Sequence, residues 1–311
     1  MKPLSAPIYG VEAALDELVR LRPPRAIAAF APNGPVRTHL FGNHKSGFRG
    51  RGMEFAESRS YQPGDDIRAI DWRLTARTGR THTKLYHEER ERPVLLLVDS
   101  RVMMRFGSRD CFKSVLAARA AALLAWVAVD GGDRLGALLL GSQGLTLLPA
   151  QRAQGQLWQW LGQLAAATTS QAHITNEPSL AQALKRLNQQ ARPGSLLFII
   201  SDFHDLDAGA QAELRRLAQR HSVSNLLISD LLEQQAPASG YYPVSDGQQQ
   251  ALLDSVDARR RAAYGQAFAT RQQQLQQLCH QHAMALVPLC TGDDVRQILR
   301  LPAASMTAGG R

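Results

Sequence analysis

The chain has 311 residues, of which 44% are apolar and 20% charged, and its formal net charge is +9. Such a composition excludes a fibrous or disordered protein and leaves room for one large domain with a small companion. Its longest apolar run, residues 120–129, is too short to span a membrane. The N-terminus lacks a leader pattern, and the three cysteines form no CxxC pair. We therefore expect a cytoplasmic protein with free thiols, no membrane span and no zinc site.

The first predicted element is a short amphipathic helix over residues 9–22, which ends at Pro23-Pro24. Between Glu17 and Glu54 the chain carries basic residues and no acidic ones. Glycine recurs over residues 37–54, which predicts a loop. Its basic patch consists of Arg37, Lys45, Arg49 and Arg51. Such a patch attracts an acidic protein face, a nucleic acid or anionic lipid.

A charged signature follows, built around a Pro63-Gly64 turn of the type II pattern. Both signs of charge occur in near balance, which favours local pairing, including a pair between Asp71 and Arg77. We expect the signature to be a structural clamp and a contact surface, followed by a strand or extended arm over residues 81–88. The signature residues are Glu54, Glu57, Arg59, Tyr61, Pro63, Gly64, Asp65, Asp66, Arg68, Asp71, Trp72 and Arg77.

This signature, with Gly-Asn-His-Lys-Ser at 42–46 and Gly-Arg-Gly-Met-Glu-Phe at 50–55, resembles that of the bacterial domain-of-unknown-function family 58. Members of that family join such a signature to a von Willebrand factor A-like domain. Many are encoded beside MoxR-type AAA+ ATPases. The resemblance implies an α/β fold with a doubly wound, mostly parallel sheet. It also implies a role as an adaptor that acts with such an ATPase.

From residue 93 onward, apolar strands alternate with amphipathic helices, which independently predicts a mostly parallel sheet covered on both faces. We expect an N-terminal extension over 1–92, a von Willebrand A-like domain over 93–301 with a hairpin insertion near 241–253, and a disordered tail over 302–311. The predicted strands are 94–98, 135–140, 145–148, 196–200, 223–228 and 285–289.

Ligands of open parallel sheets bind beyond the carboxyl ends of the strands, where Asp99 and Asp202 lie. The resemblance implies a divalent cation there, held by an Asp-x-Ser-x-Ser run, a threonine and a later aspartate. In this chain Arg101 and Met103 replace the two serines, and Pro178 replaces the threonine. Because the charge of Arg101 can pair with Asp99 or Asp202 in place of a cation, we expect a degenerate site that holds no metal and no cofactor.

The sequence allows two other arrangements of this region. Thr175 or Ser179 would restore one hydroxyl ligand if the loop before residue 180 shifted. His204, between Asp202 and Asp205, would form an acid–base cluster, although a surface histidine flanked by acids is common. The sequence contains no GxSxG elbow, phosphate-binding loop or HExxH motif.

These features favour a non-enzymatic protein-binding scaffold. The resemblance implies that it acts with a MoxR-type AAA+ ATPase and its client in protein assembly or maturation. The first alternative is a nucleic-acid-binding protein that uses the segment from Arg20 to Arg51. Against it, aromatic residues make up only 6% of the chain, which leaves no evident stacking platform. The second alternative is divalent-metal-dependent binding or hydrolysis at Asp99 and Asp202.

Overall fold

The computed structural model describes residues 10–23, 53–62, 67, 70–88, 93–152, 154–169, 177–245 and 250–296. The chain divides into two units, a small one over residues 45–91 and a large one formed by the rest. The first helix, α1 (Leu15–Arg20), belongs to the large unit and is shorter than the predicted span of 9–22. The units change at residues 91/92, close to the expected boundary, but the large unit also takes in residues 1–44, on the other side of the small one.

The small unit pairs two antiparallel strands, β1 (Met53–Ser60) and β2 (His82–Glu88), and carries helix α2 (Trp72–Thr78) between them. α2 begins at Asp71, whose carboxylate accepts a hydrogen bond from Leu74 N at 3.1 Å. It ends at Gly79, which adopts the left-handed conformation with φ of 70°. The strand predicted over 81–88 is confirmed, whereas β1 begins at Met53, inside the span predicted as a loop.

The large unit is built on a six-stranded sheet in the order β10-β7-β6-β3-β4-β5, in which only β5 is antiparallel to its neighbour. This is the mostly parallel sheet predicted from the sequence. Its strands are β3 (Pro93–Ser100), β4 (Arg134–Gly141), β5 (Gly144–Gln151), β6 (Leu196–Ser201), β7 (Ser222–Ser229) and β10 (Ala285–Cys290). Its later helices are α3 (Lys113–Asp130), α4 (Gln154–Thr169), α5 (Leu180–Gln190), α6 (Ala208–Ala218), α7 (Leu231–Gln234) and α8 (Ala258–Gln281).

Successive side chains of β3 point to opposite faces of the sheet and pack into two separate apolar layers. Val94, Leu96 and Val98 pack with α1, α3 and α4, while Leu95 and Leu97 pack with α5, α6 and α8. Helices therefore cover both faces of the sheet, which is the doubly wound, von Willebrand A-like arrangement that the resemblance implies. The predicted hairpin insertion is also present, as β8 (Tyr241–Ser245) paired with β9 (Gln250–Asp254).

The segment around α1 completes the layer formed by α3 and α4. Leu18 is fully buried, and its carbonyl accepts a hydrogen bond from Trp126 Nε1 at 3.1 Å. Ala13 N donates to Thr168 Oγ1 at 2.9 Å. Gly10 has a φ of 81°, and a Cβ there would lie 2.1 Å from a backbone oxygen of residue 110, so only glycine fits. No helix among the described residues is long and apolar enough to cross a membrane. The predicted tail over 302–311 lies outside those residues.

Candidate functional site

The carboxyl ends of β3 and β6 lie side by side, because the two strands are parallel neighbours. β3 ends beside Asp99 and Arg101, and β6 runs into Asp202 and Asp205. Asp99, Arg101 and Asp202 are all at least 97% buried, with 0%, 3% and 3% of their surface exposed. The two aspartates predicted from sequence are therefore brought together, and a buried arginine lies with them.

The guanidinium of Arg101 uses all five of its N–H groups. Nε and Nη2 donate to the two carboxylate oxygens of Asp99 at 3.0 and 2.8 Å. Nη1 and Nη2 donate to those of Asp205 at 2.7 and 2.9 Å. The remaining Nη1 hydrogen is directed to the carbonyl of Pro178 at 3.2 Å. Arg101 thus pairs with Asp99, as the sequence indicated, but its second partner is Asp205 rather than Asp202.

Asp99 is held from two further directions. Arg101 N donates to Oδ1 at 3.1 Å, and Ser201 Oγ donates to Oδ2 at 2.7 Å. Ser201 Oγ accepts in turn from Phe203 N at 3.0 Å, where Phe203 has a φ of 51°. A left-handed conformation is costly for a phenylalanine, so the surrounding bonds hold this turn in place.

A second buried cation, Lys113, neutralises Asp202. Its Nζ lies 2.6 Å from Asp202 Oδ2 and 2.6 Å from Glu233 Oε1, and its side chain is fully buried. Burial lowers the pKa of Lys113, but the two carboxylates outweigh burial and raise it. Burial likewise raises the pKa of Asp202, yet hydrogen bonding from His204 and the charge of Lys113 hold it well below its ordinary value. Neither Lys113 nor Glu233 was identified from the sequence.

His204 lies at the edge of this network, a quarter exposed. Its backbone N and its Nδ1 both contact Asp202 Oδ1, at 3.1 and 3.0 Å. Burial lowers the pKa of His204, while the hydrogen bond and charge of Asp202 outweigh burial and raise it overall. When protonated, the histidine is therefore an ion-pair partner of Asp202 through Nδ1.

The donor set fits a bound divalent cation poorly. Asp99, Asp202 and His204 do offer ligand atoms within 4.8 Å of one another. However, both oxygens of Asp99 are bonded to Arg101, and those of Asp202 are bonded to Lys113 and His204. A cation would have to displace Arg101 or share these carboxylates with buried positive charges, since Mg²⁺ demands several free oxygen ligands.

The replacements predicted for the hydroxyl ligands behave differently from one another. Met103 is 47% exposed and offers no oxygen, while Pro178 contributes only its carbonyl, which bonds to Arg101. Ser179 is the N-cap of α5, where its Oγ accepts from Gln182 N at 3.2 Å. Thr175 lies outside the described residues. Neither Pro178 nor Ser179 therefore supplies the missing hydroxyl.

The rim of the strand-end face is partly apolar. Met103 and Phe106 are 47% and 38% exposed. A cleft of about 170 Å³ is lined by residues that include Ser100, Arg105 and the turn at 141–144. The face therefore presents apolar groups together with Arg105, while Asp99, Asp202 and Lys113 are paired beneath it.

The signature residues are described only in part. Asp71 caps α2 and accepts from Ser58 Oγ at 3.0 Å. Arg77 is exposed in the last turn of α2 and is not paired with Asp71, so the expected pair is absent. Tyr61 is half-buried, and Trp72 is 67% exposed. Outside the description lie the side chains of Glu54, Glu57 and Arg59 in β1, and the residues Pro63, Gly64, Asp65, Asp66 and Arg68.

The basic patch of Arg37, Lys45, Arg49 and Arg51 also lies outside the described residues. The structure does describe two earlier arginines of the stretch between Glu17 and Glu54 that contains no acidic residue. Arg20 pairs with Asp16 at 3.1 Å, and Arg22 with Asp130 at 2.6 Å. Each of these two arginines is therefore paired with an acidic side chain, Arg20 within α1 and Arg22 at the end of α3.

The topology and the closed strand-end site together define a von Willebrand A-like α/β domain. The sequence profile described as "Protein of unknown function DUF58" matches residues 57–275, more than half of the chain. The chain belongs to this family, which confirms the resemblance noted above.

Among curated relatives, uncharacterized proteins of Mycobacterium bovis (Mb1516) and Mycobacterium tuberculosis (Rv1480) are each 32% identical over 231 residues, covering 74% of this chain and 72% of the relative. Two solved structures are more distant. BatB from Bacteroides thetaiotaomicron has a TM-score of 0.39 and 14% identity, covering 62% of this chain and 98% of that one. The SpRpn10 VWA domain has a TM-score of 0.36 and 9% identity, covering 68% and 94%.

Proposed function

We propose that this chain is a non-enzymatic, cytoplasmic protein-binding scaffold that acts with a MoxR-type AAA+ ATPase in the assembly or maturation of a client protein. The observation that carries the proposal is the guanidinium of Arg101, whose five N–H groups all donate hydrogen bonds to Asp99, Asp205 and the carbonyl of Pro178. A fixed cation of this kind cannot dissociate, and it leaves no open coordination position for a ligand or a reacting water.

The titratable groups at the strand ends also support a binding role. General acid–base catalysis needs a group that can reach a substrate and exchange a proton with it. Asp99 and Asp202 are buried beneath the face and paired with Arg101 and Lys113. His204 and Asp205 are each a quarter exposed. Asp205 is bonded to Arg101 and to Leu180 N, and His204 is held against the carboxylate of Asp202 through Nδ1. The exposed part of the face is the rim with Met103 and Phe106, whose chemistry suits contact with another protein.

The choice of ATPase rests on the family resemblance. The basic residues of the acid-free stretch between Glu17 and Glu54 supply a physical means of attraction. Basic side chains without intervening acids repel one another, and a partner rich in Asp and Glu would relieve that repulsion and speed encounter. The attraction should weaken as ionic strength rises past about 0.15 M, where the Debye length is ~8 Å.

The test is a binding assay between the purified chain and the MoxR-type ATPase encoded in the same genome. Wild type should form a complex whose association rate falls with added salt, and Arg49→Glu with Arg51→Glu should slow association further. A matched reversal of Arg186 and Arg215, exposed on α5 and α6, should have little effect. Failure of the wild-type chain to bind would remove the ATPase from the proposal. Retention of RNA, abolished by the Arg49 and Arg51 reversal while ATPase binding is unchanged, would favour the nucleic-acid alternative.

A further inference from the structure

We infer that the exposed face of α2 is a docking surface for an acidic protein segment that carries apolar anchors. We define this α2 surface by Trp72, Arg73, Arg77 and Arg80, with Ile67 one turn before the helix. The inference rests on the proposed function, because it assigns a contact surface to the scaffold. It goes further in naming the unit that makes the contact and the chemistry of the segment that is recognised.

Trp72 is the first reason. Its side chain is 67% exposed, and it makes no ring contact with any other described residue. The other tryptophans behave differently: Trp126 and Trp160 are buried, and Trp158 packs edge-on against Trp126 at 6.0 Å. Large aromatic side chains left in water are costly, and tryptophan is among the residue types most enriched at binding hot spots.

The arginines are the second reason. Arg73, Arg77 and Arg80 are all exposed, and none forms an ion pair or side-chain hydrogen bond within the part of the chain that is described. Arg73 and Arg77 are four residues apart on one face of α2, so their charges repel each other along the helix. No acidic residue occupies the first turn of this helix. An approaching carboxylate would relieve the repulsion and could form a bidentate bond to each guanidinium.

Ile67 decides between the two classes of anionic partner. It is 66% exposed and lies one turn before Ile70, whose N donates to the carbonyl of Ile67 at 3.3 Å. A nucleic-acid strand would be expected to stack on several aromatic rings, whereas an aliphatic side chain gains by contacting apolar protein groups. One tryptophan and one isoleucine beside three arginines therefore complement a peptide that alternates acidic and apolar residues.

The experiment uses the full chain in a Trp158→Phe background, which leaves Trp72 as the one largely exposed tryptophan. The probe is a short fluorescein-labelled peptide of glutamate and leucine, compared with a counterpart in which lysine replaces glutamate. Binding should protect Trp72 from quenching by acrylamide, an uncharged quencher. Charge reversal of Arg73, Arg77 and Arg80 to Glu, and separately Trp72→Ala in the wild-type background, should each weaken binding of the acidic peptide by about tenfold or more.

A matched triple reversal, Lys185→Glu with Arg186→Glu and Arg215→Glu, alters the same net charge on exposed sites of the large unit and should leave affinity nearly unchanged. Circular dichroism and thermal melting should show all variants folded, since the altered side chains are exposed. Absence of binding by the acidic peptide, equal losses in both triple variants, or preference for oligouridylate over the peptide would each overturn the inference.

The ATPase serves as a second probe that separates this inference from the proposed function. If the ATPase binds and its affinity is unaffected by the α2 variants, the scaffold role stands and the α2 surface is not its docking site. If the acidic peptide binds in a Trp72-dependent manner while the ATPase does not bind, the surface is correct and the partner must be sought among other acidic proteins.

Discussion

Arg101 shows how a cation site can become a permanent structural element. A magnesium ion exchanges its ligands and can take one from a partner, whereas a guanidinium is covalently attached and keeps its charge at all accessible pH values. Buried ion pairs are weak evidence for added stability, because desolvation offsets much of the attraction. What Arg101 does supply is position, since it joins the end of β3 to the loops that carry Pro178 and Asp205.

The first prediction concerns metal dependence. Because Arg101 is bonded to both oxygens of Asp99, millimolar Mg²⁺ and EDTA should give the same melting temperature by differential scanning fluorimetry. Arg101→Ser combined with Met103→Ser should introduce a stabilising effect of Mg²⁺, because two hydroxyls and a freed carboxylate become available. Met103→Ser alone is the control and should remain insensitive. A clear rise with Mg²⁺ in the wild-type chain would restore the metal-dependent alternative.

The second prediction concerns Lys113, which is fully buried against Asp202 and Glu233. Lys113→Met would leave two carboxylates without their shared cation and should cost about 3 to 5 kcal/mol in a urea titration. Lys185→Met, exposed on α5, should change stability by no more than about 0.5 kcal/mol. Adding Asp202→Asn to Lys113→Met should recover part of the loss. Equal midpoints for Lys113→Met and wild type would show that the two carboxylates find other partners.

The third prediction uses the raised pKa of His204, which burial opposes and Asp202 produces, with Arg101 and Asp205 as its other charged neighbours. A raised folded pKa means that the charged imidazole adds stability fully below the unfolded value of about 6.5, and that this stability is lost as pH rises through the folded pKa. The stability advantage of wild type over His204→Gln should therefore be largest near about pH 6 and shrink in alkali. His280→Gln, exposed at the end of α8, should follow the wild-type profile. A growing advantage with rising pH would contradict the pairing.

At the scale of single elements, the described role of the charged signature is a helix cap: Asp71 is the N-cap of α2. Asp71 accepts hydrogen bonds from Leu74 N and Ser58 Oγ, which ties the start of α2 to β1. A cap of this kind contributes less than a buried ion pair, since its carboxylate remains half-exposed to water.

The fourth prediction follows from this cap. Asp71→Ala should destabilise α2 by about 1 to 2 kcal/mol, seen as roughly tenfold or greater acceleration of amide hydrogen exchange in α2. Arg77→Ala, which removes an exposed side chain that has no ion pair among the described residues, should leave exchange almost unchanged. A loss of 3 to 5 kcal/mol, the order expected for a broken buried ion pair, would show that the carboxylate of Asp71 does more than cap the helix. Unchanged exchange combined with lost partner binding would make Asp71 a contact residue.

Elements with uninterrupted apolar runs could be predicted from sequence, and those held by distant polar contacts could not. β3 and β6 are recognisable in the sequence because strands buried on both faces need apolar residues at nearly every position. β1 was missed because Glu54, Glu57 and Arg59 interrupt any such run. Lys113 gave no signal either, since its partners lie 89 and 120 positions away. The same reason explains why Asp205, 104 positions from Arg101, was not recognised as its second partner.

For the molecule as a whole, the unexpected result is that the N-terminal helix belongs to the core of the large unit. The sequence suggested an extension ending at residue 92, because the composition changes there. Leu18, however, is fully buried in the layer formed by α3 and α4, and Arg119 Nε forms a 2.5 Å ion pair with Glu17. An amphipathic pattern predicts that a helix buries one face, but it does not identify the surface that receives that face.

The fifth prediction tests this packing. Leu18→Ala should cost about 2 to 5 kcal/mol in urea unfolding followed by tryptophan fluorescence, because it opens a cavity beneath Trp126. Leu15→Ala in the same helix removes a side chain that is already 44% exposed, so it should cost about 1 kcal/mol or less. Similar losses for both variants would place the helix outside the cooperative core.

The bond between Ala13 and Thr168 also has a consequence for synthesis on the ribosome. The two residues are separated by 155 positions, so the docking site of the N-terminal segment does not exist when that segment emerges. At roughly 5 to 20 residues per second, about 8 to 30 s pass before α4 has been made. The segment's other partner helix, α3, contacts it from 102 and 108 positions away, so for most of that time the apolar side of α1 has no native partner in the nascent chain. A chaperone supplied during translation should therefore raise the soluble yield of the full chain more than it raises that of a chain carrying Leu18→Ser.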